Sequence, residues 1–461
     1  MTAGALASLR LHIWPLPAWL LAVMLIVGTT VIGSALGSAS RPLFVVGCAA
    51  LGWYAWRQSP GAHLQAMLVL FAFAPFVRRI VDLGAGFDSA GLMLVGPMLA
   101  IMAPAPRLLK MLESRSRVSR EMVPILIVGA CVVYAAALAI MQADWMNAAS
   151  GSLKWIAPLV YAAVLIDADD RDELLRAATS AFLVILPIIG AYGIFQYINP
   201  PNWDIYWMQY ASITSAGYPV PYGVRTYSTM NGPGSFATFV AIGLVIVCFS
   251  RLPSMLLLLT GPAAFALLLS SYRTAWLSLA IGILFAMLFG PTRRKAAVIL
   301  AGIVVVVALA ATLTPFGDVI ADRVATLGEG SKDGSAQERL DEFVTLWNQW
   351  DSSVIGTGFT SGDVGSAGTM PIDGMIVACW VAMGIVVGMI CLTGLGLAIL
   401  NPLLTAWHER SREAIIVGAL ACGALVQLPL ANITSGENGF MFWTFAVLAT
   451  PRLLAAPDSR I

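Results

Sequence analysis

Long apolar runs of Leu, Ala, Val and Ile, broken by short polar turns, fill most of the chain. Their unbroken character predicts helices, because the strands of a membrane β-barrel read as alternations about ten residues long. A helix needs about 20 apolar residues to cross a bilayer. That ruler predicts about fourteen transmembrane helices, near residues 17–37, 42–56, 64–77, 87–105, 122–142, 152–167, 173–197, 232–250, 253–270, 273–290, 296–315, 372–400, 413–431 and 437–455. The second, third and sixth are short for a crossing. The first run leads through Ser-Arg-Pro directly into the next and reads as a retained helix rather than a cleaved signal. The expected organisation is N-terminal transmembrane helices over 1–197, a first outer loop over 198–231, further transmembrane helices over 232–315, a large outer loop over 316–371 and C-terminal transmembrane helices over 372–461.

Composition strengthens this reading. Hydrophobic residues make up 59% of the chain and charged residues 11%, with mean hydropathy +0.83. Soluble chains carry roughly 25% charged residues, so this one must use lipid as solvent: an all-α, polytopic integral membrane protein. A net charge of +1 gives no bulk attraction for nucleic acid. All six cysteines fall inside apolar runs, as small core residues do.

Lys and Arg set the orientation. With both termini cytoplasmic, all but nine of the 26 basic residues fall inside, including the Arg107–Arg120 linker and the Arg293-Arg294-Lys295 turn. The nine outer cations are Arg41, Arg78, Arg79, Lys154, Arg225, Arg273, Arg323, Lys332 and Arg339. In so uncharged a protein, each of them needs a reason.

Arg225 lies in Tyr222-Gly-Val-Arg-Thr-Tyr-Ser-Thr-Met-Asn-Gly-Pro-Gly, where the first outer loop enters a helix. With Thr226, Ser228 and Asn231 it offers a forked cation and extra donors suited to a phosphate or diphosphate; the alternative is a snorkelling arginine beside a helix cap. Residues 253–290 are too long for one helix and must turn back near Ser270-Ser-Tyr272-Arg273-Thr, which puts Arg273 at the outer surface. There it either serves a site or anchors the interface with Tyr272 and Trp276. Arg339 opens an amphipathic helix whose apolar positions run from Leu340 to Trp350 at helical spacing. Its alternative role is a surface ion pair. Gly356-Thr-Gly358 reads as a flexible turn, short of a dinucleotide fingerprint. Asp373, at the outer end of the twelfth run, suits a general base or a helix cap. Arg78-Arg79-Ile-Val-Asp82, following the third run, and Glu437-Asn438, between the last two, complete the outer face; their plain readings are an ion pair and a cap. The outer segments hold no histidine and no cluster with metal-ligand spacing, so no metal or other cofactor is expected.

In order, these segments are Arg-Thr-x-Ser at a helix entrance, Ser-x-Arg-Thr-Ala-Trp at the next outer turn, Arg-Leu and a later Trp in a long loop, and Gly-x-Gly-Phe. A span opening on a polar residue follows. The set resembles the O-antigen ligase and bacterial polysaccharide polymerase (Wzy-like) superfamily, membrane glycosyltransferases of the GT-C type with a large periplasmic loop. The resemblance covers roughly residues 200–390. It implies metal-independent transfer of an oligosaccharide from undecaprenyl diphosphate to an acceptor hydroxyl at the periplasmic face of the bacterial inner membrane. By the same resemblance Arg225 and Arg273 hold the donor diphosphate, Arg339 is the loop arginine, and Asp373 stands where ligases carry His followed by Asn. An acid there looks like the exopolysaccharide polymerase branch. The implied function is polymerisation of lipid-linked repeat units of an exopolysaccharide or O-antigen, Asp373 and Arg339 acting on the acceptor side and over the site. The alternatives are O-antigen ligation to lipid A core and, in another class, a lipid-linked oligosaccharide flippase. Membrane lipid, a flippase and a chain-length regulator are the implied partners, while Tyr222 is placed to stack on a sugar ring.

Overall fold

The computed structural model describes residues 16–113, 121–166, 171–211, 213–313, 344, 347–348, 354–359 and 374–448. Their secondary structure is helical: Ala18–Leu36 (α1), Ser40–Gln58 (α2), Pro60–Ala85 (α3), Val95–Met102 (α4), Ala105–Glu113 (α5), Met122–Met141 (α6), Trp145–Ile166 (α7), Arg171–Ile198 (α8), Asn202–Ala211 (α9), Pro233–Phe249 (α10), Ser254–Leu257 (α11), Gly261–Leu269 (α12), Arg273–Met287 (α13), Gly290–Leu313 (α14), Met375–Glu409 (α15), Arg412–Gln427 (α16) and Gly436–Val447 (α17). Helices suit this solvent because each satisfies its own backbone where no water can. Starts are marked by local chemistry: Ser59 accepts from the Ala62 amide ahead of Pro60, and Ser411 accepts from Ala414 ahead of α16. The main packing partners are α1 with α3, α8 with α12, α13 with α16, α7 with α17, and α15 with both α6 and α16.

Each of the fourteen expected segments falls mainly on helix where it is described. Five helices combine the length and hydropathy of a membrane span among the described residues, namely α3, α6, α7, α8 and α15, and several shorter apolar helices accompany them. The chain is therefore an integral membrane protein. The three runs that look short are full helices whose polar ends had been left out. Residues 64–77 grow into Pro60–Ala85, 42–56 into Ser40–Gln58 and 152–167 into Trp145–Ile166. Arg78, Arg79 and Asp82 consequently lie within α3 rather than in a turn after it.

The twelfth expected span, 372–400, is not straight. Gly384 interrupts α15 with φ 75° and ψ 176°. The sulfurs of Cys379 and Cys391 are 3.8 Å apart, whereas residues twelve apart on a straight helix are separated by about 18 Å. Residues 375–383 and 385–409 are thus two arms of a helical hairpin. Gly356-Thr357-Gly358, expected as a flexible turn, fills the break: the Thr357 amide donates to Val381 O (2.8 Å) and the Gly358 amide to Ala382 O (2.9 Å). Tyr134 donates to Ile355 O and Gln142 to Thr357 O, each at 2.8 Å, tying the same segment to α6. A side chain at Gly384 would place its Cβ 2.1 Å from Val354 O, so only glycine permits this approach. The expected amphipathic helix is described only at Val344, Trp347 and Asn348, with Trp347 edge-on to Trp380 of the first arm at 6.2 Å.

Candidate functional site

The segment carrying Arg225 is a folded strap rather than an open loop. Its Tyr222 amide donates to Tyr197 O (2.8 Å), the Arg225 amide to Ala216 O (2.9 Å) and the Thr226 amide to Leu269 O (3.3 Å). Val224 and Thr226 are buried while Arg225 between them is partly exposed, the alternation of extended chain. Tyr222, with φ 63°, is exposed at the rim.

Beneath the strap lies a buried polar network. Arg79 on α3 forms an ion pair with Asp204 on α9 at 2.8 Å, their side chains 1% and 0% exposed. Asp204 also accepts from Tyr192 (2.8 Å) and Gln196 (2.7 Å) of α8. Gln196 in turn accepts from the backbone amides of Tyr227 (3.1 Å) and Ser228 (2.8 Å). Arg79 donates to Ser228 O at 2.6 Å and stands 4.9 Å from the Tyr227 ring centroid. Ser228 itself has φ 52° and donates to Ile189 O at 2.6 Å. These bonds fix the backbone three residues from Arg225. Burial pushes the Tyr227 phenol above its ordinary pKa, while Arg79 pulls it the other way.

A second network engages Arg41, Arg78, Asp82 and Asp88. Arg41 pairs with Asp82 (2.9 Å) and Arg78 with the same carboxylate (3.3 Å); Arg78 also donates to Asp88 O (2.5 Å). Arg41, Arg78 and Arg79 therefore have partners built into the fold, the plain reading of the Arg-Arg-x-x-Asp segment. The sequence singled out neither Asp204 nor Gln196. A carboxylate among Trp203, Tyr206, Trp207 and Tyr210 was the available signal.

Arg273 opens α13 directly after the turn Ser270-Ser271-Tyr272, as its sequence predicts. Ser270 anchors that turn, its hydroxyl accepting from the Tyr272 amide (3.3 Å) and donating to Leu267 O (2.6 Å). The Tyr272 ring packs on Gly234: a Cβ there would sit 3.1 Å from the ring. The Thr226–Leu269 bond and the Gly234–Tyr272 contact join the strap of Arg225, the start of α10 and the turn of Arg273 into one corner. A cation in the first turn of a helix stands at the positive end of its dipole, an arrangement that favours an anion there. Asn231, at the entry to α10, keeps a buried side-chain oxygen with no hydrogen-bond partner.

The far side of α10 brings in Glu437. It lies in the first turn of α17, within electrostatic reach of Lys154 of α7 and near Ser235 of α10. Asp373 and Arg339 lie outside the described residues. The neighbour of Asp373 is placed: a Cβ on Gly374 would approach Pro429 O at 2.5 Å, and the Met375 amide donates to Leu428 O at 3.1 Å. Thr434 donates to Met375 Sδ at 3.5 Å, so the first arm of α15 begins against the turn that leads into α17. A cavity of about 50 Å³ lies below, its polar lining confined to Thr238, Ser278, Gln427 and Asn438.

The strap of Arg225 and the N-terminus of α13, which Arg273 opens, thus meet at one corner of the described helices. Residues 254–392 match the family model described as O-antigen ligase, in keeping with the resemblance that the order of the motifs carries. Family members act as membrane glycosyltransferase-like ligases or polymerases on lipid-linked polysaccharide. Arg273 lies within the match, as do Arg339 and Asp373; Arg225, Arg79 and Glu437 lie outside it. No curated protein matches the chain.

Proposed function

We propose that this protein is a polymerase that joins repeat units of a bacterial surface polysaccharide carried on undecaprenyl diphosphate, working at the periplasmic face of the inner membrane. The observation that carries the reading is the junction of the Arg225 strap with the Arg273 turn through the Thr226–Leu269 bond and the Gly234–Tyr272 contact. On this reading the two guanidinium groups grip the donor diphosphate and stabilise the charge that develops as it leaves. Tyr222 at the rim is available to stack on a sugar. Arg339 and Asp373 keep the roles that the resemblance gives them, over the site and toward the acceptor, with a GT-C architecture. A flippase supplying the substrate and a chain-length regulator fit this reading as partners.

Ligation of a finished glycan to a lipid A core is the second reading, favoured by the family match itself. Asp373-Gly374 in place of His-Asn supports the polymerase. One experiment separates them: complementation of a deletion strain with wild type or Arg273→Ala, followed by analysis of lipid-linked intermediates at matched expression. A polymerase leaves single lipid-linked units in the deletion strain, and Arg273→Ala lowers polymer about 10²–10³-fold. Accumulation of long lipid-linked chains instead establishes the ligase. Wild-type polymer from Arg273→Ala overturns the diphosphate site.

A further inference from the structure

The end of the bundle away from the Arg225–Arg273 corner gathers cations that the glycosyl-transfer reading does not use. α10 and α13 begin at that corner and end here, at Phe249 and Met287. Three further helix ends join them. Near the start of α14 the Lys295 ammonium donates to Ser250 O at 3.0 Å, and Arg251 pairs with Glu413, in the first turn of α16, at 3.3 Å. Phe289 meets Trp407, close to the end of α15, edge-on at 5.8 Å. The chain then turns at Arg410, which holds φ 52° where glycine is the usual occupant. Arg251, Arg293, Arg294, Lys295, Arg410 and Arg412 thus lie on the segments of one junction, against two acids, Glu409 and Glu413. The Arg251 side chain stays 77% exposed in its pair, and Arg293, Arg294 and Arg410 are exposed as well. The flank beside them is apolar and equally open: Met255, Leu258, Leu288 and Trp407 are all exposed, and Leu288 lends its carbonyl to Arg293 at 3.4 Å. Cations bordering open apolar surface match an anionic headgroup joined to hydrocarbon. A free phosphate leaves the apolar flank unused.

We propose that this junction binds an anionic phospholipid, its phosphate among Arg251, Arg294 and Arg410 and its acyl chains along Leu258, Leu288 and Trp407. Arginine suits the task, since its planar fork meets two phosphate oxygens at once. On the orientation expected from Lys and Arg, this end faces the cytoplasm, where anionic lipid makes the membrane surface negative. A ligand that binds only the folded state stabilises it, so lipid held here braces α10, α13, α14 and α16 at the end remote from Arg225 and Arg273. The site is independent of the chemistry proposed at that far corner.

The test uses the full chain purified in a neutral detergent. Binding of a fluorescent phosphatidylglycerol and thermal unfolding are measured for wild type, for the triple variant Arg251→Gln, Arg294→Gln, Arg410→Gln, and for the control Arg107→Gln, Lys110→Gln. Phosphatidylcholine and inorganic phosphate serve as competitors. Wild type should bind the probe saturably and unfold at a higher temperature in its presence, and neither competitor should displace it. Each lost cation should weaken binding about fivefold, so the triple variant should bind about a hundredfold less tightly while unfolding as wild type does without lipid. The control, whose two cations are exposed on α5, should bind as wild type does. Wild-type affinity in the triple variant overturns the proposal, as does equal weakening in the control, since bulk charge then explains the binding. Displacement by phosphatidylcholine or by inorganic phosphate at equal concentration overturns the assignment to an anionic lipid. If the triple variant unfolds early without lipid, Arg294→Gln alone decides: a fivefold weakening supports the site and wild-type binding refutes it.

Discussion

Replacing Asp204 with asparagine keeps the shape of the side chain and removes the charge that Arg79 needs. The pair is enclosed at 2.8 Å, and Asp204 accepts two further hydrogen bonds, from Tyr192 and Gln196, at 2.8 and 2.7 Å. Hydrogen bonds to a charged group are worth about 1.5–3 kcal/mol each, and removing one member of a buried ion pair costs about 3–5 kcal/mol because the other charge is left without compensation. Asparagine still accepts one of those bonds, so we expect Asp204→Asn to destabilise the bundle by about 3–4 kcal/mol, from the same ranges. Arg79→Met should cost a similar amount by orphaning Asp204. The double variant should cost much less than the sum, since neither charge remains. Equilibrium unfolding in mixed micelles, followed by tryptophan fluorescence, gives the three values. A coupling energy below about 0.5 kcal/mol, the level expected of independent sites, would refute the argument that these two groups stabilise one another.

Three other expectations concern the fold. Gly384→Ala should lower yield and unfolding temperature severely, because its φ of 75° and the nearby Val354 O exclude a side chain, whereas Gly129→Ala, in open space, should be neutral; equal behaviour of the two would remove the case for a tight turn. A variant retaining only Cys379 and Cys391 should form an intramolecular disulfide on oxidation with a copper–phenanthroline reagent, since the sulfurs lie 3.8 Å apart; failure to cross-link would favour a straight α15. Tyr227 holds its proton in the folded protein beyond the pH at which the unfolded chain loses it. Above about pH 10 the unfolded state therefore binds fewer protons and stability declines with pH; Tyr227→Phe should shallow that decline, and an unchanged slope would contradict the burial argument.

Much of this molecule was legible because composition and lipid leave so few solutions. Apolar runs located the helices, and the length of 253–290 required the turn at Ser270–Arg273 that the structure contains. What escaped has physical causes. The polar ends of α2, α3 and α7 were cut off because hydropathy falls where helices continue into polar surroundings. The hairpin at Gly384 was hidden because Ile, Val and Met run through the break without a change in polarity, and a glycine in such a run is ambiguous. The Arg225 and Arg273 turns were each visible, but their contact depends on Gly234 receiving Tyr272, which no spacing reveals. Asp204 lay inside an apolar-aromatic stretch, and its importance follows only from meeting Arg79 across the bundle.

The wide separation of Arg79 and Asp204 along the chain also has a temporal side. At about 5–20 residues per second, a ribosome needs roughly 6–25 s to travel from one to the other. For that interval the arginine has been made and the aspartate that neutralises it has not. A bare guanidinium at the end of a membrane helix is costly, so α3 has reason to wait at the water boundary until α8 and α9 arrive. The ion pair then serves as an assembly checkpoint: the strap that carries Arg225 can settle only after the two halves of this early bundle have met.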